Sequence, residues 1–561
     1  MKSPITILEK DEQKRLFARV MEELDKKYDP ELHLLWEGEQ YHDVRDSGYY
    51  SLGLLARDGQ GDRERAEKVI QAVLNLQMDG KEEDGFYGTF KRTEVEKLPP
   101  SEPFPGRCFD AHGRFYLEKW RETVEVKLKR RLMETGESRE KANEIITMLG
   151  QSLCDTVPVV WEGFDPNWRE FISTTFAMVL SMFEDKLDPQ TVKAMDRAMV
   201  KSVTGSIARY NSWMYPMNTN VLLMHCLICI YYGERFENQE FYDHGIKALD
   251  KVIEDYKEFG NFAEFNSPTY YSVDLIALAA WKKLSGCSYL HQMGQWLEQE
   301  LWNKIGAMYH PGLHNLCGPY SRAYETDMKD HTMLPSLLYI GLGAQYQEEP
   351  GFNCELGGNV ELSILGTEIP SETRQSLLNY QGDRQVEMRY RELIEKNDPD
   401  DDSTVCTATA WIEENYMIGA MEGSRNTSHQ LRSAVAFWKA PDGTVSNMVL
   451  MRREPGTEPA HIRTVFFNNR AEKGEIEIQV TFDAERDIEL FFNLEGTGLE
   501  TEMIQTEGFK LPGMEIKVET DQPAPEVRQT SQGLEVVYPF HWTPKGKKTM
   551  NFNLKFQWKK D

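Results

Sequence analysis

The chain is 561 residues long, roughly three to five times the usual domain size, which excludes a single small module and makes two large domains the expectation. Hydrophobic residues at 40% and charged residues at 28% describe a folded, water-soluble protein and exclude general disorder. The 64 basic and 91 acidic residues leave a formal charge of -27, a field that repels phosphate backbones and anionic membrane surfaces, so neither nucleic acid nor membrane is an expected partner.

Read in chain order, the N-terminal stretch MKSPITILEKDEQKRLF carries charges where a secretion signal needs its apolar core, so no signal is expected. From about Lys10 to Leu342 the apolar spacing is helical: Ile172, Phe176, Leu180 and Phe183 recur every three or four residues, as do Leu275, Leu278 and Ala279. Asp188-Pro189 and Asn266 to Pro268 stand just ahead of such runs and predict helix starts, because Asp or Asn can cap free backbone N–H groups and Pro is pre-set for the first turn. The longest apolar runs, Val221 to Tyr232 and Leu275 to Trp281, fall short of the ~20 residues that cross a bilayer and predict buried helices. Eight cysteines show no framework spacing. The one CxxC pair, Cys226 and Cys229, lies inside LLMHCLICIYYG; lacking a second ligand pair, it is expected to be two buried thiols, with no metal and no cofactor. Free thiols fit a reducing, cytoplasmic location.

Polar and aromatic clusters interrupt these helices at 41–50 (YHDVRDSGYY), 107–116 (RCFDAHGRFY), 164–171 (FDPNWREF), 211–220 (NSWMYPMNTN), 264–274 (EFNSPTYYSVD) and 318–327 (GPYSRAYETD). Within them Asn167, Asn218, Tyr271 and Arg322 follow one another at 51, 53 and 51 residues. Two helices of about 15 to 20 residues with their connections fill such an interval. One helical hairpin per interval would therefore return each cluster to the same end of a repeating array. After about Gly343 the pattern changes to short alternating segments: VELSILGTEI, TATAWIEENYMIGAM, SAVAFWKA, SNMVLMRRE, IEIQVTF and IELFFNLEG. These predict antiparallel sheet. The charged stretch from Glu387 to Asp402, ending in NDPDDD, predicts a solvated helix and loop. The expected division is a helical domain over residues 1–345 and a strand-rich domain over 346–561.

This order of elements, with the Asn-rich NTN at 218–220, the Tyr pair in SPTYY, the SRAY segment and the histidine in RNTSHQLR, resembles a group of polysaccharide lyases. Those lyases are built from an incomplete α/α toroid followed by an antiparallel β-sandwich, and include chondroitin AC, hyaluronate, alginate and heparinase II/III-type lyases. The resemblance implies that fold here, a carbohydrate substrate, and cleavage of a uronate-containing glycan or oligosaccharide by β-elimination. Elimination needs the uronate carboxylate neutralised, a base for the proton on C5 and an acid for the departing 4-oxygen. Asn218, Asn220 and Arg322 are the candidates for the carboxylate, Tyr271 with Tyr270 close behind for base and acid, and His429 for assistance from the β domain. Asn167, Trp168, Trp213, Asn266, Tyr320, Tyr324 and Arg425 are candidate substrate-binding residues. Unlike the pattern in this group, no histidine directly follows the asparagines; the nearest, His225, sits in an apolar run and is expected to be structural.

Each candidate has a structural alternative. Asn218 and Asn266 stand at helix starts and can serve as N-caps, although one helix uses only one cap and has two asparagines at 218 and 220. Tyr270 and Tyr271 project about 100° apart on a helix, so one can pack inward while the other faces a cleft. Arg322 can form an ion pair with Glu325 or Asp327, and His429 can be an exposed loop residue. A helical toroid also suits a glycoside hydrolase with two carboxylates, for which Asp165 with Asp327, Glu264 with Asp274 and Asp46 with Asp110 are the available pairs. A noncatalytic carbohydrate-binding protein is the third possibility. The enrichment in amides and tyrosines favours elimination.

Overall fold

The computed structural model describes residues 7–82, 84–96, 127–156, 165–211, 217–346, 350–352, 356–392, 405–424, 430–459, 465–483, 486–543 and 546–560, without side chains from 150 to 156. The fold class is the expected one, α/α hairpins of the toroid type followed by an antiparallel β-sandwich. The chain forms two compact units, each assembled from separated stretches. The first comprises Met1–Val252, Ile276–Gln295 and Glu355–Thr367; the second comprises Ile253–Leu275, Trp296–Cys354 and Glu368–Asp561.

Helices of the first unit come as hairpins. Val44–Arg57 is followed by Asp62–Leu74, and Trp168–Phe183 by Pro189–Tyr210. The first member of each hairpin is buried nearly all round, including Ile172, Phe176, Leu180 and Phe183. The second buries one face only, as Ala66, Val69, Ile70 and Val73 do. First members pack on one another: Val44–Arg57 on Trp168–Phe183, and that helix on Thr219–Arg235. The apolar helices thus make an inner layer and the amphipathic ones an outer layer. Within the inner layer the Tyr232 hydroxyl donates to the Ser173 carbonyl at 3.1 Å and Trp281 Nε1 to the Leu223 carbonyl at 2.9 Å. Asp188 is the cap its position suggests, its carboxylate accepting the Gln190 N–H at 2.7 Å with Pro189 opening the helix. Among the described residues no helix is long and apolar enough to cross a membrane.

Among its described residues the second unit holds two large antiparallel sheets and a two-stranded ribbon, Tyr309–His310 with Asn315–Leu316. Eight strands run, in spatial order, Glu526–Gln529, Gly533–Phe540, Ile488–Glu495, Val445–Arg453, Ala434–Lys439, Tyr416–Glu422, Val405–Glu413 and Arg384–Arg391. Six more run Val465–Glu472, Glu475–Phe482, Thr549–Trp558, Met514–Thr520, Gly508–Leu511 and Ile504–Gln505. Alternate residues of both, among them Ile418, Ala436, Phe467, Ile478, Phe492, Val536 and Phe552, form one buried core, as two sheets packed face to face require.

Two segments depart from their sequence patterns. VELSIL, which alternates like a strand, lies in the helix Gly358–Leu365, all eight residues of which are buried. It packs against both Asp11–Lys27 and Val44–Arg57, so no polar face remains to display a helical period. Gly366, at φ 66°, ends it. Ser371–Leu378 is also helical and the sheet begins only at Arg384. Conversely, the charged run from Glu387 starts as the strand Arg384–Arg391 rather than a helix. Gln385, Glu387 and Arg389 point alternately to solvent from this edge strand, where charge discourages pairing with another chain. The rest of that run, 393–404, lies outside the described residues.

Candidate active site

In the second unit four segments distant in sequence are stitched together. Phe265 stacks on Tyr390 of the edge strand, centroids 4.5 Å apart, and anchors the 264–274 segment on the sheet. Ser321 N–H donates to the Phe265 carbonyl at 3.1 Å, Tyr320 and Arg432 exchange backbone bonds of 3.0 Å, and Ala323 N–H reaches the Gln430 carbonyl at 2.9 Å. Asn266 makes the turn. Its φ of 53° is the left-handed conformation that asparagine tolerates, and its Nδ2 donates to the carbonyls of Cys317 (2.6 Å) and Pro319 (2.9 Å). Asn266 is therefore a buried tie between segments, neither cap nor sugar ligand. Ser267 takes the capping role, its Oγ accepting the Tyr270 N–H at 2.9 Å while donating to the Arg322 carbonyl at 2.6 Å.

The helix Tyr270–Lys283 begins there, and its first two side chains diverge. Tyr271 is 2% exposed, its hydroxyl accepts the Asn266 N–H at 2.7 Å, and burial pushes its phenol above the ordinary value. The Tyr271 oxygen is thus engaged inside the fold. Tyr270 instead lies under Arg322, whose guanidinium carbon is 4.0 Å from the ring centroid, and its hydroxyl donates to that of Tyr324 at 2.5 Å. Burial raises the Tyr270 phenol well above its usual value, Arg322 opposing and Tyr324 and Glu264 adding to the rise. Tyr324 is 44% exposed and carries the cluster to solvent.

Arg322 forms its ion pair with Glu264, Nη1 to Oε1 at 2.7 Å, rather than with Glu325 or Asp327, and its Nε donates to Gln430 Oε1 at 2.7 Å. Its Nη2 makes no hydrogen bond among the described residues, and the side chain keeps 22% exposure. Burial works against its charge, but Tyr270, Glu264 and Tyr324 together raise it above the ordinary guanidinium value, so the group stays cationic. Arg432 adds a bond from Nη2 to the Tyr324 carbonyl at 3.2 Å. Asp274 is fully buried; burial and then the Glu264 charge push its carboxyl far up, which keeps it neutral. Tyr320 is buried with its hydroxyl on the Leu316 carbonyl at 2.6 Å, which removes it from stacking on a sugar.

The first unit contains a separate polar cluster. Asn167 Oδ1 accepts from Arg209 Nη2 at 2.8 Å, and Arg209 Nη1 pairs with Glu170 at 3.1 Å. Ser206 Oγ donates to the other Glu170 oxygen at 2.7 Å and meets His225 Nδ1 at 2.8 Å. Asn167 is thus engaged within the protein, and Trp168 is buried with the Arg45 guanidinium 5.2 Å from its ring centroid. Asn218 occupies the N-cap position of Thr219–Arg235 without a capping bond, and Asn220 is buried. Trp213, Arg425, His429 and the 107–116 cluster with Asp110 lie outside the described residues.

Arg432 stands in RNTSHQLR as one of the cationic residues the sequence offers for an anionic sugar, whereas Gln430 beside it carried no comparable signal. Glu264 was legible only as half of a hydrolase pair. Ser206 and Arg209 carried no local signal, since each gains meaning only from a carboxylate 36 or 39 residues away.

No curated protein sequence matches the chain. Among solved structures it is similar to heparan sulfate lyase HepC from Pedobacter heparinus, at 11% identity over 98% of this chain and 89% of that one, with a TM-score of 0.32. It is also similar to heparinase III, the BT4657 gene product, at 11% identity over 93% of this chain and 94% of that one, with a TM-score of 0.30. The profile of the family described as "Domain of unknown function (DUF8769)" matches residues 14–137 and 149–350, more than half of the sequence, and the chain belongs to that family.

Proposed function

We propose that this protein is a carbon–oxygen lyase that cleaves a uronate-containing oligosaccharide by β-elimination at the Tyr270–Arg322–Tyr324 cluster. The observation that carries the reading is Arg322: two of its nitrogens are locked by Glu264 and Gln430, leaving Nη2 uncommitted beside a pair of hydrogen-bonded phenols. A guanidinium fixed in this way is preorganised to meet a carboxylate and to stabilise the enolate that forms when C5 loses its proton. The phenol pair supplies the proton traffic. Tyr324, 44% exposed, takes the C5 proton as its phenolate after giving its own proton to solvent, Tyr270 supports that phenolate by donating through the 2.5 Å bond, and the proton gained passes to the 4-oxygen as the C4–O bond breaks and the C4–C5 double bond forms. His429, next to Gln430 in the chain, is proposed as an auxiliary group, and small oligosaccharides rather than polymer as the substrate. Asn218 and Asn220 are not needed for this reading.

Glu264 and Asp274 offer the carboxylate pair of a hydrolase less well, because both are buried and Glu264 is already bound to Arg322. The test is a panel of uronate oligosaccharides assayed for the ultraviolet absorbance of the unsaturated product and, in parallel, for new reducing ends. Absorbance with reducing ends is expected. Reducing ends alone would establish hydrolysis, and no cleavage across the panel would sink the reading. Tyr324→Phe and Tyr270→Phe should each lower kcat by about 10²- to 10⁴-fold, the usual worth of a positioned acid–base group, and Arg322→Ala should raise KM as well.

A further inference from the structure

The sequence places Cys229 in an apolar helix with no partner motif, yet the fold of the first unit brings two histidines to it. His225 and Cys229 are one turn apart on Thr219–Arg235, and His244 comes from Gln239–Phe259. The ring nitrogens and the sulfur all lie within 4.8 Å of one another. The two Nε2 atoms are 3.1 Å apart, and Cys229 Sγ is 3.8 Å from His225 Nε2. A tetrahedral zinc-type ion with bonds of about 2.0–2.1 Å to nitrogen and 2.3 Å to sulfur has edges of about 3.3–3.4 Å and 3.6 Å, close to the Nε2–Nε2 and Nε2–Sγ separations; Cys229 Sγ also stands 3.7 Å from His225 Nδ1, so its side chain has to turn toward the Nε2 side to complete the shell.

The surroundings select the right tautomer. Ser206 gives its proton to Glu170, so its oxygen must accept from His225 Nδ1–H, which leaves the Nε2 lone pair facing His244 Nε2 at 3.1 Å. A ligating histidine held through its other nitrogen by a carboxylate, here relayed by a hydroxyl, is the usual support of a metal site. Tyr210 fixes the same ring by stacking at 4.9 Å with planes 4° apart. Gly245 allows the approach of the second helix, since a Cβ there would lie 2.9 Å from the Cys229 Cβ and 2.7 Å from an Ile230 side-chain carbon. His225 and Cys229 are buried while His244 is part-exposed, which provides an entry side.

We propose that His225, Cys229 and His244 bind one divalent transition-metal ion of the zinc type, with a fourth position left to water. The nitrogen and thiolate set suits zinc over magnesium or calcium, which take oxygen ligands. Binding displaces the Cys229 thiol proton to solvent, shifts the His244 proton from Nε2 to Nδ1, and replaces the hydrogen bond between the two imidazoles with two metal–nitrogen bonds.

The test uses the full-length protein after treatment with a chelator. Titration with Co²⁺ should show one equivalent bound with the visible bands of a tetrahedral site and a thiolate-to-cobalt band in the near ultraviolet, and Zn²⁺ should bleach both. Cys229→Ala should abolish the thiolate band, and His244→Ala, at a part-exposed position that leaves the fold intact by circular dichroism, should weaken binding at least tenfold. Ser206→Ala should weaken it about 10- to 100-fold, as loss of an outer-shell partner does, while Cys226→Ala should change nothing. Absence of a stoichiometric thiolate–cobalt spectrum, or equal affinity in the Cys229→Ala and His244→Ala variants, would overturn the proposal. Neither outcome depends on lyase activity.

Discussion

At the scale of single residues, burial decides what each ionisable group can do. Glu361 sits wholly inside the helical layer with the Thr175 hydroxyl donating to its Oε1 at 2.7 Å, and burial pushes its carboxyl up to about 7 from an ordinary 4.5, against the pull of Thr175 and Arg45. Below pH 4.5 the group is protonated folded or unfolded; above about 7 the folded state must hold a buried anion. Stability is therefore lost as pH rises through that window, by on the order of 3 kcal/mol at most. Glu361→Gln should remove most of this dependence and leave the protein more stable than wild type at pH 8 but not at pH 4.5, as denaturant unfolding at the two pH values will show. The same reasoning separates the adjacent tyrosines. Tyr271→Phe takes away the acceptor of a buried backbone N–H and should cost about 1–3 kcal/mol of stability with activity kept, whereas Tyr270→Phe should strike activity. Retained stability and lost activity in Tyr271→Phe would reverse the assignment.

At the scale of elements, glycine sets how closely the helices approach. Gly205 lies inside Pro189–Tyr210, where alanine would ordinarily stabilise a helix by about 1 kcal/mol. Here its Cβ would stand 2.0 Å from the Tyr87 carbonyl oxygen and 3.1 Å from Arg169 Nε. Arg169 itself is completely buried, with Nη1 on the Gly205 carbonyl at 2.8 Å and Nη2 on the Gly85 carbonyl at 2.7 Å. Gly205→Ala should therefore reverse the normal sign and destabilise by about 1–3 kcal/mol, the cost of forcing atoms into a packed site, read as a lower denaturant midpoint at constant slope. In the sheet the analogous constraint is Gly419, whose Cβ would meet the Gly318 carbonyl oxygen at 1.7 Å. That contact is what lets the 318–324 segment lie against the strand and present Arg322.

At the scale of the whole molecule, the formal charge of -27 sets the long-range field around the protein, which repels anions. Exposed charges separated by more than a Debye length, about 30 Å at 0.01 M and 10 Å at 0.1 M ionic strength, are screened from one another. For an anionic oligosaccharide, kcat/KM should thus rise between these two salt concentrations as long-range repulsion is screened, whereas a cationic cleft would make it fall. Steady-state kinetics in a sodium chloride series checks this, and a decrease over that range would show that local cationic groups outweigh the net charge.

What the amino-acid order determined by itself is the content that burial periodicity records locally. Ile172 to Phe183 repeats at the helical interval because one helix buries them together, Asp188-Pro189 caps because cap chemistry lies within three residues, and IEIQVTF alternates because its strand has one buried face. Tertiary structure decided everything that depends on partners remote in the chain. VELSIL became a helix because neighbours cover it on all sides and erase its period, and QVEMRYR became a strand because it pairs with Val405–Glu413 at the edge of a sheet. Arg322 chose Glu264, 58 residues away, over the nearer Glu325 and Asp327, and Tyr270 rather than Tyr271 joined it. His244 reached Cys229 only through the packing of two helices at Gly245. The physical reason is the same in each case: a periodic pattern is an average over a helix or strand, but an ion pair, a proton relay or a metal shell is fixed by a few ångströms of through-space distance that no local pattern encodes.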